Sequence, residues 1–204
     1  MAFEENTRTA RNRSPHSTEL PDRVAVPAPA SETPEYWMCL YQQADPEAPA
    51  ALVALIGPAL LRFFRYNSAS REAAEDLLQE TWLRIHRMRH SYRPSERLLP
   101  WVYAIAHHVR IDSYRRRSRI AVHEAPLDPL PEPAASNTEL DALHFQSLIA
   151  TLPEAQREVV TMLKVSGMTV DEVARATRST AGAVKLKAHR AYERLRALLT
   201  EAAR

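Results

Sequence analysis

The sequence predicts an all-α protein built as two small helical domains, and three observations lead there. Among 204 residues there are three glycines and fifteen prolines. That balance argues against a turn-rich β fold and against any glycine loop that cradles phosphate, and favours helices with Pro-rich connections. Apolar residues recur at helical spacing on both sides of one interruption. That interruption, APLDPLPEPAASN at 125–137, carries four prolines in eight residues and cannot be a helix or a central strand. The expected division is a tail over 1–33, a first helical domain over 34–119, an extended acidic linker over 120–137 and a second helical domain over 138–204.

Residues 1–33 are polar, dotted with proline and without periodicity, which predicts a disordered tail. They carry charges of both signs and no apolar h-region, so they do not read as a secretory signal. A short helix is expected from Pro34 to Gln43, with Tyr36, Trp37, Leu40 and Tyr41 on its apolar side. ALVALIGPALLRFFRYN follows in a helical pattern, and Gly57-Pro58 predicts a kink or a join between two shorter helices. Ala48 to Leu61 is the longest apolar candidate for a membrane span, and it is short and broken by prolines.

REAAEDLLQETWLRIHRMRH, from Arg71 to His90, is rich in helix formers. Ala74, Leu78, Trp82, Ile85 and Arg89 fall on one face; Asp76, Gln79, Glu80 and Leu83 form an adjoining, mostly polar one. After a loop at Ser91–Pro94, another helix is expected from Ser95–Pro100 to Arg117, setting Trp101, Tyr103 and Tyr114 among arginines. Such rings can stack bases of an opened strand while cations follow the phosphates, although Trp101 and Tyr103 also sit where core residues would.

Beyond the linker, helices are expected at Thr138–Ala150 and from Leu152-Pro153 to Ser166, closed by Gly167. Thr169 and Glu172 form a Thr-x-x-Glu capping box, with Val170, Val173 and Ala174 turned inward. After Arg178-Ser179-Thr180 comes a helix whose apolar stripe is Val184, Ala188, Ala191, Leu195 and Leu198 or Leu199. Its other side carries Lys185, Lys187, His189, Arg190 and Arg194. Two helices on a tight turn, the second basic, look like a helix-turn-helix reader of the major groove; a solvated amphipathic hairpin shares the pattern.

The formal net charge is only +2, but its distribution is uneven. Between Arg84 and Arg119 ten arginines face only Glu96 and Asp112, and between Ile120 and Asp141 all five charges are anionic. Segregation of this kind suits a surface offered to a polyanion. Cys39 is the single cysteine, so no internal disulfide can form, thiolate zinc sites are excluded and a reducing cytoplasm is the natural setting. It reads as a small buried hydrophobe. His86 and His90 stand four apart without a third ligand, and no metal site is expected. No nucleophile triad, Walker loop or HExxH motif occurs, so neither an enzyme, nor a cofactor, nor a small-molecule substrate is expected.

AEDLLQETWLRIHR, LPWVYAIAHHVRIDSYRRRSR and ATLPEAQREVVTMLKVSGMTVDEVARATRSTAGAVKLKAHRAYERLRALL, in that order and spacing, resemble the two domains of bacterial extracytoplasmic-function (ECF) sigma factors. With the preceding helix the likeness covers about residues 48–199. It implies a region 2 helical bundle and a region 4 helix-turn-helix, in a dissociable RNA polymerase subunit that reads promoters without chemistry of its own. By resemblance, Asp76, Gln79, Glu80 and Leu83 grip the core polymerase. Tyr92, Arg93, Arg97, His108, Arg115, Arg116 and Arg117 hold the minus-ten element. Lys185, Leu186, Lys187, His189 and Arg190 read the minus-thirty-five element. The acidic linker corresponds to the segment that threads toward the RNA exit path. The implied partners are core RNA polymerase, promoter DNA and an anti-sigma factor, often membrane-bound, acting on a stress or envelope-response regulon.

Some positions depart from the family pattern. His108 stands where Asn is usual, Arg178 replaces the common turn Gly, and Ala183 and Leu186 replace Thr and Ser. They bear on which promoter is read rather than on the class. Two other readings share much of the pattern: a stand-alone helix-turn-helix regulator, which leaves the Asp76-Gln79-Glu80 face unexplained, and a sigma-like antagonist, which has no use for the Arg115–Arg119 cluster.

Overall fold

The computed structural model describes residues 33–121 and 145–202, so the expected tail up to residue 32, the expected linker from residue 122 on and the start of the helix expected at Thr138 lie outside the described residues, while Ile120 and Ala121, expected in the linker, belong to a helix. Among the described residues every regular element is helical. Helix α1 spans Pro34–Gln42, with Thr33 capping it by accepting from the Tyr36 N–H (3.2 Å) and Pro34 opening its first turn. Helix α2 spans Ala48–Asn67 without a break. The expected join at Gly57-Pro58 does not form, because Pro58 is exposed and the buried stripe Leu52, Ile56, Leu60, Phe63 and Phe64 continues past it. This makes α2 long and apolar enough to cross a membrane by length and composition, contrary to the sequence expectation, yet it packs here as the central core helix.

Ser70 caps α3, Arg71–Met88, by accepting from the Ala73 N–H at 3.2 Å. Its fully inward line is Ala74, Leu77, Thr81 and Ile85, while Leu78 and Trp82 are half-buried. A buried threonine is tolerated because its hydroxyl donates to the Leu77 carbonyl (2.7 Å). A single 3-10 turn, Arg89–Ser91, follows, and the Gln42 amide pins it by donating to the carbonyls of Arg89 (2.7 Å) and Tyr92 (2.9 Å). Helix α4, Leu98–Ala121, starts within the expected Ser95–Pro100 window, and its first N–H, on Leu98, donates to Glu35 Oε1 of α1 (2.9 Å). It also runs past Arg117.

In the C-terminal part, residues 145–150 are helical and lead to α5, Glu154–Val160. It widens into a π turn at Thr161–Val165, closed by the Ser166 N–H donating to the Thr161 carbonyl (3.1 Å). Gly167 follows at φ 64°, the left-handed conformation that ends a helix most easily at glycine. Thr169 and Glu172 form both bonds of the expected capping box on α6, Val170–Ala176. Helix α7, Ala181–Ala202, begins at Thr180, whose hydroxyl accepts from the Ala183 N–H (3.1 Å).

One apolar cluster joins α1–α4 to Val159, Met162, Val173, Val184 and Ala188. A smaller one holds Ile149, Leu152, Val160 and Ala191, with Tyr66 and Phe145 packed against it and edge to face with each other. The two helical parts are therefore packed together.

Candidate functional site

Three surfaces carry the expected site residues. On α3, Asp76, Gln79 and Leu83 are exposed and Glu80 is half-buried, all on one side of a helix whose opposite side is locked into the core. Leu83 is 52% exposed, unusual for a leucine beside so much polar surface. Glu80 accepts from Arg84 Nε (2.9 Å), and the same guanidinium donates to Asp112 Oδ2 of α4 (2.8 Å). The hydrogen bond from Arg84 holds the Asp112 carboxyl below its ordinary range. Arg84 is thus the strut that fixes Glu80 relative to α4, a role the i,i+4 spacing from Glu80 makes legible only in hindsight.

Arg84 and Asp112 also line a groove of about 390 Å³ with Arg115, Arg116 and Arg119. The guanidiniums of Arg115, Arg116 and Arg117 are exposed, in keeping with a surface that meets a polyanion. Upstream, Arg93 and Arg97 stand on the loop entering α4, and Arg97 is bound to Glu172 Oε1 of α6 (2.6 Å). Tyr92, expected beside them as a DNA contact, is buried at 3% exposure. Its ring packs against Trp101 and its hydroxyl donates to the Glu96 carbonyl (2.5 Å), while burial pushes its phenol pKa up. A buried ring is not free to stack on a base; its work is to shape the loop that presents Arg93 and Arg97. Tyr103 is fully buried against Phe63, and Trp101 is half-buried, so both serve packing. Tyr114 alone of the ring set is broadly exposed, at 53%.

His108 is half-buried with Nδ1 2.5 Å from the Ala104 carbonyl. Since a carbonyl only accepts, Nδ1 carries a proton and donates to it. His107, on the adjoining line, turns to α5 instead, its Nδ1–H donating to Glu158 Oε1 (2.7 Å). His86, considered with His90 as a metal pair, is hydrogen bonded to the Tyr41 hydroxyl (2.6 Å). Cys39 is buried, and burial together with Glu35 raises its thiol pKa, so it is a packing residue rather than a nucleophile.

The third surface is α7. Lys185, His189 and Arg190 are exposed, Lys187 is half-buried and Leu186 is 48% exposed. The inward stripe Val184, Ala188 and Ala191 seats the helix. His189 lies 3.3 Å from Glu193, one turn on. The turn before α7 places Arg178 at φ 50°, the left-handed conformation expected of a position where glycine is usual.

Known proteins match this arrangement. Sigma-70 region 2 matches residues 52–120 and Sigma-70, region 4 matches residues 143–195. RNA polymerase sigma factor CarQ of Myxococcus xanthus is 34% identical over 131 residues, which are 63% of this chain and 75% of that protein. ECF RNA polymerase sigma factor SigF of Caulobacter vibrioides is 31% identical over 152 residues, 70% of this chain and 80% of that one. Among solved structures, RpoE with the anti-sigma factor NepR from Bartonella quintana is similar at a TM-score of 0.69 and 24% identity, covering 76% of this chain and 98% of that one. CnrH with the cytosolic domain of CnrY gives a TM-score of 0.64 at 21% identity, covering 82% and 97%. At these identities the structural likeness speaks for the fold. The chain belongs to the sigma-70 family of transcription initiation factors. Within that family it is an RNA polymerase sigma factor of the ECF group.

Proposed function

We propose that this sigma factor grips core RNA polymerase through Asp76, Gln79, Glu80 and Leu83 on α3. The observation that carries this is a polar face with an exposed leucine on a helix whose other side is fully committed to the core. Arg93, Arg97, His108, Arg115, Arg116 and Arg117 then hold the minus-ten element, with Tyr92 shaping the loop. Lys185, Leu186, Lys187, His189 and Arg190 read the minus-thirty-five element in the major groove, where Leu186 suits a thymine methyl and the cations reach phosphates and guanine edges. The working division is residues 34–119 for polymerase and minus-ten binding, 120–137 as connector and 138–204 for the minus-thirty-five element.

The protein performs no catalysis of its own and needs no cofactor; the chemistry belongs to the polymerase. It works in the cytoplasm and on the nucleoid. An anti-sigma factor that covers its polymerase and DNA faces, at the membrane in the simplest arrangement, holds it until a stress or envelope signal arrives. The two solved relatives named above are each bound to such a partner or to the cytosolic domain of another protein.

Run-off transcription with core polymerase on fragmented genomic DNA tests this reading. New starts that share two spaced upstream motifs are expected only when the protein is added. Duplex binding with no new starts would turn the assignment toward a stand-alone regulator. Glu80→Lys, which reverses charge on the grip while sparing the core, is expected to abolish co-purification with core polymerase. Undiminished co-purification would remove α3 from the interface.

A further inference from the structure

Between Val173 and Tyr192 the chain carries Arg175, Arg178, Lys185, Lys187 and Arg190 and no acidic residue. Lys185, Lys187 and Arg190 belong to the surface assigned to the major groove, whereas Arg178 has no assigned work. It sits in the turn between α6 and α7 at φ 50°. Its own N–H donates to the Arg175 carbonyl (3.2 Å) and the Ser179 N–H to the Ala174 carbonyl (2.9 Å), the paired bonds of a helix end that turns through one left-handed residue. Glycine suits that place, and Gly167 takes it ahead of α6 at φ 64°. A Cβ disfavours it, so the arginine is held against a local penalty.

Strained backbone of this kind collects where a side chain has a function. Ala44, at φ 62°, carries the same penalty in the turn between α1 and α2, but with a methyl group that asks for no partner. The Arg178 side chain is different. It is cationic and exposed, and among the described residues its guanidinium has no hydrogen-bond or ion-pair partner. Glu172, the nearest acidic residue in the sequence, is committed to the Thr169 N–H and to Arg97. The dipole at the end of α6 is already met by Arg175 in its last turn. The guanidinium of Arg178 is therefore available to an anion outside the chain.

Its place in the fold says which anion. Arg178 stands three residues ahead of Ala181, the start of α7, and so within about 11 Å of it at no more than about 3.6 Å per residue. An α-helix about 10–12 Å across fills a major groove about 12 Å wide. A residue just ahead of such a helix meets the wall of the groove, which is sugar and phosphate, rather than the base edges on its floor. We propose that the Arg178 guanidinium grips a backbone phosphate at the edge of the minus-thirty-five element and so fixes the register in which α7 enters the groove. The contact adds affinity and alignment without reading a base. The inference rests on the assignment of α7 to the minus-thirty-five element.

Full-length Arg178→Gly removes the guanidinium and relieves the backbone together, so folding and DNA binding are expected to move in opposite directions. Its melting midpoint is expected at or above that of the wild type. As holoenzyme on a duplex promoter fragment recovered by the run-off mapping, it is expected to bind about two- to fivefold more weakly at low salt, the range of one exposed ion pair. The log–log dependence of that binding on salt is expected to be shallower by about one unit. Arg178→Lys keeps the charge and is expected to keep the wild-type slope. Lys185→Ala is measured alongside. Weaker binding by Lys185→Ala, with the affinity and slope of Arg178→Gly unchanged, would overturn the phosphate contact alone; no change in either variant would remove α7 from the DNA. Loss of slope in Arg178→Lys as well would overturn the contact, because charge would then not be what the DNA feels. A lower melting midpoint for Arg178→Gly, together with weaker binding of unchanged slope, would assign the arginine to folding and overturn it too.

Discussion

Arg178 holds φ 50° in the turn between α6 and α7, a conformation that costs a side-chain-bearing residue about 1–2 kcal/mol. Nothing in the α6–α7 hydrogen bonding repairs this: the Arg178 N–H donates to the Arg175 carbonyl (3.2 Å), a bond any residue could make. Arg178→Gly is therefore expected to stabilise the fold, though part of the relief is lost to the greater freedom of glycine in the unfolded chain. A net gain of about 0.5–1 kcal/mol, seen as a rise of roughly 1–4 °C in melting midpoint, is the expected outcome of thermal unfolding. A fall would show that the arginine side chain contributes more than its backbone costs. This position was legible in the sequence through the family resemblance, because Arg178 stands where the common turn residue is Gly. Tyr92 was not, since an aromatic ring in an arginine-rich loop looks alike whether it faces bases or core. Only the long-range contact with Trp101 and the Gln42 clamp on the loop decide it.

At the scale of elements, legibility followed local physics. Thr169 and Glu172 fixed the start of α6 because both bonds of a capping box lie within four residues. The stripe on α7 ran where its period placed it, buried at Val184, Ala188 and Ala191. On α3 the inward line was offset to Leu77 and Thr81, because the helix is wedged between α2 and α4 and a buried threonine is satisfied by its own helix. The unbroken α2 was also unforeseen, since an exposed proline at one solvent-facing position costs a hydrogen bond without ending a helix that packing holds on the other side. For α7 the consequence is quantitative. Lys185→Ala and Arg190→Ala remove exposed cations from the element assigned to the major groove. Each is expected to weaken promoter binding by holoenzyme and to make the log–log dependence on salt shallower by about one unit if the side chain touches a phosphate. Unchanged slopes in a salt titration would move the DNA contact off this helix.

For the molecule as a whole, the packing of one helical part on the other was beyond the sequence, because Glu158 and Arg110 are distant in the chain and nothing in the two segments that hold them says that they meet. The contact has a measurable signature in acid. Burial alone would raise the Glu158 carboxyl, but the hydrogen bond from His107 and the charge and hydrogen bond of Arg110 outweigh it, so the folded-state pKa lies below the ordinary value. In the unfolded chain the same carboxyl titrates near about 4.3. Between these two values the unfolded state binds more protons than the folded one, so stability rises with pH across that window. The stabilisation is complete above the unfolded value and is lost as pH falls through the folded one. Glu158→Gln abolishes this titration and leaves Arg110 with Glu154 as its only carboxylate. It is expected to unfold at lower urea than wild type near neutrality, with the gap between the two midpoints narrowing as pH drops below about 4. Glu172 and Asp112, also held below their ordinary values, titrate in both proteins and cancel from the difference. Midpoints that run parallel from neutral to acid pH would mean that Glu158 is no more stabilised as an anion in the folded chain than in the unfolded one, and that the two halves are held by their apolar contact alone.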